Sequence, residues 1–92
     1  MSQTPVADKI RNKLQAAFAP EMLDLTDESG LHRGHAGHNP QGESHFRLTM
    51  TSAFFNGKTR LERQRMVYAA LAEEMAGRVH ALAMKLQGTE DT

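Results

Sequence analysis

The sequence predicts an α+β fold: a single domain of order α-β-β-α-β, with a three-stranded mixed sheet and two main helices on one face. Three observations carry this. Phe46, Leu48 and Met50 alternate with His45, Arg47, Thr49 and Thr51, the period-two pattern of a strand with one buried face. Asn56-Gly57 then breaks the chain, and Thr59 with Glu62 has the spacing of a capping box at a helix start. A helix-like and a strand-like segment precede this unit, and a strand-like segment follows it. Covering one face of a small sheet with two helices is the economical packing for that set of elements.

Taken in order, Thr4-Pro5 opens the first helix, because Thr caps and Pro suits the first helical position. Val6, Ile10, Leu14 and Ala17-Phe18 fall on one side, and Asp8, Lys9, Arg11, Lys13 and Gln15 cover the other. Pro20 ends the helix. Met22 to Asp27 reads as a short strand with Leu23 and Leu25 on one side. Residues 28–41 hold three glycines, a proline and three histidines, the composition of a long mobile loop. After the central strand, a second helix is expected from about Arg60 to Ala76. Its apolar stripe is Leu61, Tyr68, Leu71, Ala72 and Met75, with Val67 at the margin and Gly77 as the C-terminal cap. Val79 to Leu86 reads as a third strand, in which His80, Leu82, Met84 and Leu86 share a face. Residues 87–92 are polar and expected to fray. The first two strands form an antiparallel hairpin across the loop. The helix between the second and third makes that pair parallel, through a right-handed crossover.

The 92 residues make one domain, with an ordered core expected over about 5–86. Eleven basic and eleven acidic residues cancel, so overall charge points to neither nucleic acid nor membrane. Locally the balance differs. From Lys58 to Arg65 four cations stand against Glu62 alone. Absence of cysteine excludes disulfides, thiolate nucleophiles and thiolate metal ligands from this chain. No apolar run reaches the ~20 residues of a membrane helix, and residues 1–7 lack the features of a secretory signal. A cytoplasmic location is the expectation.

Histidines provide the first candidate chemistry. His32, His35 and His38 recur at three-residue spacing in the loop, where imidazoles can converge on a transition metal; a polar loop that takes up metal opportunistically has the same composition. His80, on the apolar parity of its strand, reads as a structural histidine or a ligand. His45, on the polar parity of the central strand, reads as a hydrogen-bonding residue of the hairpin. The second candidate is the turn and helix start carrying Lys58, Arg60, Arg63 and Arg65, which can hold phosphate or form an ordinary solvated face. Aromatic residues are too few for a base-stacking surface. No catalytic constellation is visible: Ser44 and His45 are neighbours on a strand and point to opposite faces. Glu73-Glu74 looks like a solvated patch.

Several motifs together resemble the BolA family. They are Asp27-Glu28-Ser29, a His-bearing loop, Gly42-Glu43-Ser44-His45-Phe46-Arg47, Phe55-Asn56-Gly57-Lys58, Arg63-Gln64-Arg65-Met66-Val67-Tyr68, Leu71-Ala72-Glu73-Glu74-Met75 and Val79-His80-Ala81-Leu82-Ala83. The likeness runs from about Val6 to Leu86. It implies a fold similar to type II KH domains and two non-enzymatic roles. In one, the protein shares a [2Fe–2S] cluster with a monothiol glutaredoxin and glutathione. The resemblance makes His80 one ligand and a loop histidine another, with His35 favoured, His32 next and His38 after them. In the other, it is a DNA-binding regulator of stress response and morphology, with phosphate contacts from Lys58, Arg60, Arg63 and Arg65. Many members carry His where this chain has Gln64, whose amide does not titrate. The free protein is expected to be a monomer or weak homodimer.

Overall fold

In the computed structural model, residues 5–28, 45–77 and 79–91 are described. The elements are α1 (Val6–Phe18), β1 (Met22–Asp27), β2 (His45–Thr51), a 3₁₀ turn (Ala53–Phe55), α2 (Arg60–Ala70), α3 (Ala72–Ala76) and β3 (Ala81–Gln87). The sheet order is β1-β2-β3. β2 runs antiparallel to β1, with Leu25 opposite Leu48, and parallel to β3, with Leu48 opposite Met84. This is the predicted α+β architecture.

The core lies between one face of the sheet and the helices. Phe46, Leu48 and Met50 of β2 meet Ile10, Leu14 and Phe18 of α1, Val67 of α2, and Leu71, all buried. The opposite face, carrying Asp24, Thr26, Arg47, Ala83 and Lys85, is exposed. Among the described residues twelve buried apolar side chains form a single cluster, and at about 1.5–3 kcal/mol for each fully buried large side chain they are the main stabilising term.

Local chemistry explains the boundaries. Pro5 is the N-cap of α1 and its carbonyl accepts from Lys9 N–H at 3.1 Å; Thr4, expected as the cap, lies outside the described residues. α1 ends on Ala19 in the left-handed region, φ 42°, one residue before Pro20. Ala17, expected beside Phe18 on the buried side, is exposed. After β2, Ser52 caps the 3₁₀ turn, and Phe55-Asn56-Gly57-Lys58 follows as a tight turn. Lys58 N–H donates to the Phe55 carbonyl at 3.1 Å, and Gly57 sits at φ 76°, the geometry of a type II turn. The capping box then forms in full: Glu62 N–H donates to Thr59 Oγ1 (3.1 Å), and Thr59 N–H donates to Glu62 Oε1 (2.8 Å).

Four expectations are corrected. The second helix is not continuous: Leu71, at φ −107° and ψ 22°, separates α2 from α3. Its apolar stripe is rotated, since Leu61 and Tyr68 are exposed while Val67 and Leu71 are fully buried; the short polar helix buries only what faces the sheet. Glu74 is not solvated. Its side chain is 7% exposed and pairs with Lys13 Nζ at 2.8 Å, and Glu73 pairs with the same ammonium. Lys13 thereby ties α1 to α3, its pKa raised by hydrogen bonds to Glu73 and then Glu74. Finally, 87–91 does not trail away. Gln87 closes β3, Asn56 Nδ2 donates to Thr89 Oγ1 (2.9 Å), Glu90 N–H donates to Asn56 Oδ1 (3.0 Å), and Asp91 pairs with Arg63.

Candidate functional site

Two places on the fold gather chemistry. The first is the end of the sheet where β2 begins. His45 is the first residue of β2, and the parallel register sets it opposite Ala81, the first residue of β3. His80 therefore stands just before β3, beside His45, with ring centroids 6.4 Å apart and tilted by 43°. The strand starts two residues later than its pattern suggests, so His80 does not take the apolar parity of Leu82. It is exposed, while Val79 before it is buried. His45 is half-buried. Its carbonyl accepts from Glu28 N–H at 2.7 Å, and Arg47 Nε, on the same face of β2, donates to Glu28 Oε2 at 2.9 Å. Glu28 and His45, the described residues on either side of 29–44, are thus joined by a backbone hydrogen bond. His32, His35 and His38 fall within 29–44 and lie outside the described residues.

Among the described residues no group of three or more His, Cys, Asp or Glu side chains can close on a metal ion. What this edge offers is one exposed imidazole with a second imidazole behind it. Neutral imidazole is a ligand for iron and zinc alike, and a partial donor set of this kind fits a cofactor whose remaining ligands come from another molecule. The place of His45 beside His80 is not visible in its strand parity. Its neighbour is set by the β2–β3 register, which places position 45 next to position 81.

The second place is the basic turn and the first turns of α2. Lys58, Arg60 and Arg65 are exposed. Arg63 is not: its side chain is 12% exposed and every donor group of the guanidinium is engaged. Nε donates to the Lys58 carbonyl (3.0 Å), Nη1 to the Leu86 carbonyl (3.2 Å), and Nη1 and Nη2 to the two carboxylate oxygens of Asp91 (2.6 and 3.0 Å). This bidentate pair, helped by the backbone of Gly88, lowers the Asp91 pKa to about 2. Glu62 is also held below the usual carboxylate range, first by the Thr59 backbone N–H, with smaller contributions from the charges of Lys58 and Arg65. Of the four predicted phosphate-binding cations, three thus face solvent and one is committed to internal structure. Asn56 and Asp91, which lock the chain end onto this turn, were missed because their contacts are remote in sequence. The signal for them is Gly88, where a Cβ would collide with Asn56 Oδ1 and stand 3.2 Å from Asn56 Cα.

Comparison with known proteins places the chain in a family. The family model described as BolA-like protein matches residues 14–91. BolA-like protein 1 of Homo sapiens is 51% identical over 81 residues, which is 88% of this chain and 56% of that protein; the chain thus spans little more than half the length of this relative. A protein of Escherichia coli (strain K12) described as DNA-binding transcriptional regulator BolA is 41% identical over 93 residues, covering 95% of this chain and 85% of its own. Among solved structures, the BolA domain of SufE1 from Arabidopsis thaliana superposes with a TM-score of 0.84 at 31% identity, covering 99% of this chain and 100% of that one. The solution structure of BolA1 from Mus musculus gives 0.77 at 44% identity, covering 97% and 69%. These relatives are described as BolA-like proteins or as regulators, and not as enzymes. With a family match over most of its length and these identities, the chain belongs to the BolA-like family.

Proposed function

We propose that this protein is a non-enzymatic partner of a monothiol glutaredoxin, acting in iron–sulfur cluster handling and iron homeostasis. The observation that carries this reading is His80: an exposed imidazole just before β3, with the His45 ring beside it. A [2Fe–2S] cluster held between the two proteins would take thiolates from the glutaredoxin and glutathione, because this chain has no cysteine. His80 is the ligand from the described residues. A second would come from 29–44, with His35 favoured, then His32, then His38. His45 is the positioning residue behind His80. The cluster supplies electron-accepting and cluster-donating chemistry; imidazole in place of thiolate raises its potential and makes its retention depend on neutral histidine. No helix among the described residues is long and apolar enough to cross a membrane, and cytoplasmic action, as a monomer or weak homodimer before pairing, belongs to the same proposal. Anaerobic mixing with a monothiol glutaredoxin, glutathione, ferrous iron and sulfide tests it. The visible circular dichroism of the mixture is expected to differ from that of glutaredoxin alone; spectra that merely sum overturn the reading.

A second reading is favoured by the exposure of Lys58, Arg60 and Arg65 along one turn and helix. Relatives from Escherichia coli and Vibrio cholerae are described as DNA-binding transcriptional regulators. In this reading the protein regulates stress response and cell morphology through phosphate contacts from those cations. Arg63 acts there through structure: it holds the Lys58 carbonyl and fixes the turn. Each phosphate contact contributes about 0.9 to the slope of log affinity against log salt. Arg60→Ala and Arg65→Ala are each expected to lower that slope by about one, and a slope unchanged by both overturns this reading.

A further inference from the structure

We propose that the cavity between the start of α2 and β3 is a binding site for a small phosphate-bearing ligand. Lys58 and Arg60 are its charged contacts and Gln64 its neutral one. The cavity measures about 340 Å³, within the roughly 300–1,000 Å³ of small-molecule sites. Lys58, Arg60, Arg63 and Gln64 form one wall, and residues 84–86 of β3 form the other.

Three features point to a phosphate. The first is charge. The ionisable residues that α2 and its preceding turn contribute to the cavity, Lys58, Arg60 and Arg63, are all cations and no acid lines it, in a chain whose total charges cancel. Two acids of this region are already committed: Glu62 accepts from Thr59 N–H, and Asp91 grips Arg63. The second is rigidity. Arg63 spans the cavity's two walls, binding the Lys58 carbonyl on one and the Leu86 carbonyl on the other. A site held in shape before its ligand arrives does not spend binding energy on ordering itself. The third is unused donors. Arg60 makes no hydrogen bond or ion pair among the described residues, nor does the amide of Gln64, and Lys58 and Arg60 are exposed at the mouth. Phosphate oxygens are strong acceptors that suit this donor set, while Met84 and Leu86 give an apolar flank for a sugar or base.

The site shares Lys58 and Arg60 with the DNA-binding reading but excludes Arg65, which does not line the cavity. That difference makes the two separable. Titration calorimetry of the full chain would use adenosine monophosphate, adenosine as the unphosphorylated control, and a duplex DNA. We expect saturable binding of one adenosine monophosphate, with adenosine weaker by about tenfold or more. Lys58→Ala and Arg60→Ala should each weaken the nucleotide by about tenfold, while Arg65→Ala leaves it within about twofold. These residues are exposed, so far-ultraviolet circular dichroism should show every variant folded. Equal binding of adenosine and its monophosphate, no nucleotide binding, or equal damage from Arg65→Ala each overturns the cavity site. DNA binding without nucleotide binding refutes the cavity and leaves the DNA reading standing; nucleotide binding without DNA binding does the reverse.

Discussion

Ser52 is a buried junction, and Ser52→Ala tests whether the helices and sheet are joined as described. The residue is fully buried. Its Oγ donates to the Phe18 carbonyl at 2.6 Å and accepts from Phe54 N–H at 3.1 Å, while its own N–H donates to the Gln87 carbonyl at 2.9 Å. One side chain thus satisfies the last turn of α1, caps the 3₁₀ turn and sits beside the end of β3. Alanine keeps the bond to Gln87 and loses the other two. The Phe18 carbonyl belongs to the last helical turn, where carbonyls have no intrahelical partner. Stranding a buried polar group costs roughly 1–3 kcal/mol. Phe54 N–H is only partly buried and regains water, so the Phe18 carbonyl sets the total, at about 2 kcal/mol. In a domain of this size each kcal/mol moves Tm by roughly 4–8 °C, giving a fall of roughly 8–16 °C. Thermal and urea unfolding followed by far-ultraviolet circular dichroism would measure it. Thr49→Ala, on the open face of β2, is the control and should change stability by less than about 0.5 kcal/mol. A Ser52→Ala variant that melts within about 2 °C of the parent would refute this account of the junction.

Two further predictions concern other sites. Ala19 occupies the left-handed region at φ 42°, where a Cβ is unfavourable and glycine is at ease; Ala19→Gly should raise stability by about 0.5–1 kcal/mol, and a loss in urea unfolding would contradict it. Asp91 has its pKa lowered to about 2 by Arg63, against about 3.9 for a free aspartate. Its contribution is therefore complete above the unfolded value and disappears as pH falls from about 4 to about 2. Asp91→Asn should flatten that part of the acid unfolding profile, and an unchanged acid limb would show that the pair contributes nothing.

Much of the fold was legible because its signals are local. The alternation of β2 set its buried face, the Thr59–Glu62 spacing set the start of α2, and the helix between β2 and β3 required the parallel pairing. What escaped has no local signature. Leu71 breaks the second helix without proline or glycine to mark it. Glu74 looks solvated until α1 brings Lys13 against it. The chain end looks frayed until the side chain of Asn56, more than thirty residues earlier, is seen to hold it. The candidate site divides in the same way. His80 is singled out by its motif and the basic turn by its charges. The pairing of His80 with His45 and the internal role of Arg63 depend on tertiary register, which no single segment encodes.

The most direct test of the central claim is the visible circular dichroism of the reconstituted mixture, repeated with His80→Ala. Because His80 is exposed, the variant should keep its fold and melting temperature. The account predicts that His80→Ala returns the spectrum to that of glutaredoxin alone, while His45→Ala weakens the chromophore without abolishing it. A mixed-complex spectrum that persists in His80→Ala would contradict the assignment of this imidazole and the reading built on it.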